Sequence, residues 1–172
     1  MGFSDDMKGL SELQIASAVL NFGAFLLQTI GFASPNWQSA GSYNSGLWRY
    51  CFGGVCNAID DVAIATLFTH AGIFKVAQLL ETLAFVAILA GGGVIILQFF
   101  YKKNKKLLYI VLSVFLSAAL LMIIIGLIIY ATVSKNRDFG FAFYFCLTSA
   151  VTIIIEDVVV YHERRTSATS PS

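Results

Sequence analysis

The sequence predicts an all-α membrane protein, a left-handed bundle of four transmembrane helices, and two observations carry that prediction. The first is composition. Of 172 residues, 58% are hydrophobic and only 12% are charged, with two prolines. A water-soluble domain needs charged surface to cover its core, so this apolar excess must face lipid. The second is the spacing of charges. No charged residue falls between Glu12 and Arg49, Glu81 and Lys102, Lys106 and Lys135, or Asp138 and Glu156. A helix crosses the hydrocarbon with about 20 apolar residues, and most such bundles pack left-handed.

Taken in order, residues 1–12 are cytoplasmic, 13–34 form the first span and 35–75 the first extracellular loop. The second span is 76–101, followed by a cytoplasmic connection at 102–106 and a third span at 107–133. A short second extracellular loop at 134–138, a fourth span at 139–160 and a cytoplasmic tail at 161–172 complete one domain. Span one exceeds a signal-peptide core and follows no basic segment, so it reads as a retained span rather than a cleaved one. The third charge-free run, about 28 residues, reaches roughly 42 Å and must tilt or project beyond the bilayer. The fourth is about 17 residues before Glu156 and Asp157, which places these two acids at a solvated helix end; a proton-relay role is the alternative.

Orientation rests on the basic residues. Lys102, Lys103, Lys105 and Lys106 crowd one connection and Arg164 and Arg165 follow the last span, so both faces are expected in the cytoplasm. Cys51 and Cys56 then lie in the larger outer loop, where a disulfide persists. Between them stand Phe52-Gly53-Gly54-Val55, a two-residue hairpin signal. If Phe52 and Val55 close the turn, the cysteines become the next cross-strand pair. A metal site would need two more ligands nearby, and His70 is the loop's one histidine. Cys146, within span four, reads as a small buried apolar residue.

Trp37, then Gly46-Leu47-Trp48, then the two cysteines, all in the first loop of a four-span chain, resemble the signature of the claudin superfamily. That superfamily comprises claudins, the peripheral myelin and epithelial membrane proteins, and the gamma subunits of calcium channels; the spacing here is of an invertebrate-like claudin or epithelial-membrane-protein type. The resemblance implies a small extracellular antiparallel β-sheet in the first loop. Trp37, Gly46, Leu47 and Trp48 would anchor it to the bundle, and Cys51 and Cys56 would tie two strands. Trp37 also stands where an ordinary interfacial aromatic belongs. Thr169-Ser170-Pro171-Ser172 lacks the hydrophobic last residue of a PDZ-binding tail, so scaffold docking of that kind is not expected.

Enzyme chemistry finds no footing. His70 and His162 fall on opposite sides of the bilayer, and no nucleophile elbow, phosphate loop or metal cluster appears. No cofactor, metal or nucleic-acid partner is implied. Gly91-Gly92-Gly93 offers a flat helix face for close packing, as do Ser113, Ser117 and Ala118 in span three. Glu81 shares a helix face with Gln78 and Lys75, which suggests pairing with Lys75 through water or a capping role, or else a contact with the sheet or an auxiliary partner. Asp60 and Asp61 follow the cysteines and are candidates for a paracellular cation preference, against the plainer role of solvating the loop.

The expected function is that of a structural protein of lateral cell–cell contacts in the plasma membrane, self-associating in cis and in trans to form a paracellular barrier or selective path. The alternative is an auxiliary subunit of a channel or another membrane complex. A transporter ranks third, because the spans show no polar or broken helices facing one another.

Overall fold

The computed structural model describes residues 12–100, 105–134 and 138–169. Lys102 and Lys103 of the basic connection and Lys135 and Arg137 of the second loop lie outside them. Four long helices, α1 (Glu12–Ala33), α3 (Ala71–Phe100), α4 (Lys105–Val133) and α5 (Phe141–Thr169), dominate the chain. All four are long and apolar enough to cross a membrane, and the chain is a multi-pass membrane protein. Between α1 and α3 lie four short strands, β1 (Gln38–Ala40), β2 (Tyr43–Ser45), β3 (Arg49–Phe52) and β4 (Val55–Ala58), and a seven-residue helix, α2 (Asp61–Leu67).

Helix ends follow local chemistry. α1 stops at Ala33 because Pro35 bars helical geometry at Ser34, whose amide still reaches Ile30 O at 3.1 Å. α2 starts on Asp60, whose carboxylate accepts a hydrogen bond from the Ala63 amide at 2.7 Å. α3 begins five residues before the span expected from Val76. α5 runs past the expected end at Val160 to Thr169, which draws Glu156 and Asp157 into the helix interior.

The helices form a ring in the order α1–α3–α4–α5. α3 packs along α4 and α1 along α5 most extensively, and α1 against α3 is the thinnest seam. Small residues occupy the crossings: Ala24, Ala77, Ala84 and Ala119 are fully buried, as in bundles where close approach replaces hydrophobic drive. Gly31 shows the same logic, since a side chain there would strike Cys146 Sγ and the Ala142 carbonyl. The outer faces carry Val19, Phe22, Leu83, Val114 and Ile154, the apolar excess that composition assigned to lipid.

The strands form an antiparallel meander, β1-β2-β3-β4. Phe52 pairs with Val55 and Cys51 with Cys56, the register expected of the Gly-Gly turn. Both turn glycines have positive φ, 56° and 86°, which a side-chain-bearing residue rarely adopts. The second loop stitches onto the first. Phe139 bridges to Gln38, Ser39 N donates to Asp138 O at 3.0 Å, and Ser134 bridges to Phe68.

Candidate functional site

Two places concentrate chemistry: the sheet with its short helix, and a polar file inside the bundle.

On the sheet, the six motif residues divide their tasks. Cys51 and Cys56 form a disulfide, and Cys146 is free and buried. Trp37 is fully buried, and its indole N–H donates to Gly31 O at 2.7 Å. Its ring packs 4.8 Å from Tyr130 and 5.9 Å from Phe143, so it ties the sheet to α1, α4 and α5 together. Gly46 is glycine because a Cβ would collide with the Ser34 carbonyl and Pro35. Leu47 is fully buried, and its carbonyl accepts from Gln78 Nε2 of α3 at 2.6 Å. Trp48 differs from the resemblance's expectation of an anchor. It is 38% exposed and leans on Phe32 at 5.3 Å, a lateral prop at the sheet end of α1 rather than a core plug.

The adjacent acids are not equivalent. Asp61 is ion-paired with Lys75 at 2.6 Å, on the surface. Asp60 has no ion pair among the described residues, and one of its oxygens caps α2. The pairing of Lys75 with Glu81 suggested by spacing does not occur. Lys75 turns outward to Asp61, while Glu81 points into the bundle, where it has no ion pair among the described residues.

The polar file is the feature that reading the sequence span by span missed. The buried face of α1 carries Gln14, Ser17, Asn21 and Gln28, a spacing of three, four and seven that places them on one helical stripe. Each meets a polar group of another helix. Gln14 Nε2 donates to the Tyr109 hydroxyl at 2.9 Å, Ser17 Oγ and Asn21 Nδ2 donate to Glu156 at 3.4 Å, and Gln28 Nε2 donates to Glu81 at 2.7 Å. Glu156 and Glu81 are both fully buried. Glu156 therefore does not sit at a solvated helix end, because α5 continues beyond it and turns it onto the α1 stripe. Asp157 faces the other way and accepts from Ser113 at 2.6 Å and Ser117 at 3.3 Å. The serines that spacing offered as a packing patch are its hydrogen-bond donors. The spans thus do present polar faces to one another, contrary to the reason given for ranking a transporter third.

His70 and His162 stand at opposite ends of the bundle, and no group of metal-ligating side chains occurs among the described residues. No protein-family model and no curated protein matches this chain.

Proposed function

We propose that this chain is a structural protein of cell–cell contacts of the claudin type, plasma-membrane, with both termini cytoplasmic and the sheet outside, assembling laterally and across cells. The observation that carries this reading is the rigid join between sheet and bundle. Trp37 and Leu47 are fully buried in the helices while the hairpin tip holds Phe52 at 65% and Val55 at 64% exposure. A disulfide-clipped platform with an apolar tip, mounted on a buried aromatic anchor, is built to meet a surface rather than to enclose a substrate. Asp60, unpaired, would supply the fixed charge facing a paracellular path.

The test is to express tagged protein in a low-background epithelial monolayer. Continuous enrichment at lateral contacts with a changed transepithelial resistance is the expected result, and Asp60→Asn should lower the sodium-over-chloride preference more than Asp61→Asn. Uniform surface staining with no effect on resistance would refute the reading.

One observation favours the auxiliary-subunit alternative. At the thin α1–α3 seam a groove of about 420 Å³ opens toward lipid, lined by Asn21, Phe22, Phe25, Gly92 and Gly93 among others. An added Cβ at Gly93 would meet nothing within 4 Å, so a partner helix could approach the backbone there. Co-purification with one channel complex, lost on Gly93→Leu, would support that reading.

A further inference from the structure

We propose that the cleft between the sheet and α2 is a binding site for a quaternary ammonium cation. Three rings build one wall. Tyr43 and Phe52 are cross-strand partners, and Tyr50 lies two residues before Phe52, so all three project from the same sheet face. Ala63, Thr66 and Leu67 of α2 form the opposite wall, and Asp60 completes the lining. The cleft is open on its solvent side and holds about 280 Å³, enough for a small organic headgroup. Ring surface is left available: Phe52 is exposed, and Tyr43 and Tyr50 are half-buried, with the Tyr43 hydroxyl turned inward.

Electrostatics select the ligand's sign. Among the described residues, Asp60 is the cleft's one carboxylate, and no lysine or arginine lines it. Its neighbour Asp61 is ion-paired with Lys75 on the surface and does not line the cleft. Arg49 precedes Tyr50 on β3 and so leaves from the other face of the sheet. Burial pushes the Tyr43 phenol above its usual pKa, which keeps that ring neutral at physiological pH. Aromatic faces attract a cation through the ring quadrupole, and a nearby carboxylate adds direct attraction.

Hydrogen-bond capacity selects the ligand's kind. A primary ammonium brings three donors and a guanidinium five. The cleft meets them only in part: one Asp60 oxygen caps α2, and beyond its second oxygen the acceptors are the tyrosine hydroxyls and that of Thr66, which itself donates to the Ala63 carbonyl at 2.9 Å. A metal ion would want several oxygen ligands where there is one carboxylate. A trimethylammonium group has no N–H to satisfy and presents methyl groups that pack on rings, so a wall built mostly of ring surface favours it over a primary ammonium.

The experiment uses the full chain in nanodiscs of phosphatidylglycerol, which carries no choline, titrated with choline by calorimetry. The comparison ligand is 3,3-dimethyl-1-butanol, the neutral carbon isostere of choline. Choline should bind at least roughly tenfold tighter than the isostere, and Asp60→Asn and Tyr50→Leu should each weaken it roughly tenfold. Asn still caps a helix, so Asp60→Asn removes the charge without removing the cap. Repeating the titration in phosphatidylcholine discs separates two sources of the same group: suppressed binding assigns the site to a lipid headgroup, unchanged binding to a soluble cation. Absence of saturable choline binding, equal binding of the isostere, tighter binding of n-butylammonium, or indifference to both substitutions would each overturn the assignment.

Discussion

Gln28 donates to Glu81 at 2.7 Å across the α1–α3 seam, and each residue keeps one oxygen, Gln28 Oε1 and Glu81 Oε1, with no hydrogen-bond partner among the described residues. Orphaned acceptors at full burial are costly, and intramembrane acids of this kind mark functional positions more often than structural ones. The glycine opposite makes room for the arrangement, because a Cβ at Gly126 would stand 2.6 Å from Glu81 Oε1.

Gly126→Ala should therefore destabilise the bundle by about 1–3 kcal/mol through overpacking. The same substitution in a Glu81→Ala background should cost far less, since the clashing oxygen is gone. Heat-induced unfolding of the four variants in detergent measures the coupling. Equal cost in both backgrounds would mean that Glu81 does not rest on Gly126.

Asn21→Leu removes an amide donor from Glu156 and should cost about 1–3 kcal/mol. Combined with Glu156→Leu, the loss should shrink, because both polar partners then leave together. Unfolding midpoints in denaturant report the difference. If the double variant folds normally yet fails to reach cell contacts, the pair serves function rather than stability.

The two tryptophans should behave unlike each other. Trp37→Ala opens a cavity and removes the bond to Gly31 O, at about 3–5 kcal/mol. Trp48→Ala, at a half-exposed position, should cost less than half as much. Surface delivery measured by cell-surface labelling should follow the same order, with equal loss in both arguing that Trp48 is buried by a partner.

Mass mapping of non-reduced peptides should find Cys51 joined to Cys56 and Cys146 unmodified. Replacing both loop cysteines by serine should lower stability by only about 2 kcal/mol, because so short a ring restrains little of the unfolded chain. Its effect should instead appear in the hairpin, as faster amide exchange at Phe52 and Val55.

The architecture was largely legible because its signals are local. Charge-free runs mark helices, and Gly53-Gly54 between Cys51 and Cys56 carries its own turn geometry. The polar file was legible in principle. Gln14, Ser17, Asn21 and Gln28 recur at helical period, but a search for unbroken apolar length hides a stripe of uncharged polar residues. What no local pattern holds is which groups meet across the bundle. Lys75 is closer to Glu81 than to Asp61 in sequence, yet the fold turns Lys75 toward Asp61 and Glu81 toward Gln28. The cleft of Tyr43, Tyr50, Phe52 and Asp60 likewise exists only once β2 and β3 pair and α2 folds over them.

The sheet also has a handed asymmetry between its two edges. β1 is covered by the second loop through Gln38, Ser39, Phe139 and Asp138, whereas β4 pairs only with β3 among the described residues and is exposed along its length. Among the described residues, backbone groups along β4 are therefore the open edge at which the sheet can lengthen. Two copies joined β4 to β4 in antiparallel sit about a two-fold axis, and a pair so formed has spent the open edge of both sheets. Growth through strands ends at two copies; any longer row must run through side chains or helix faces.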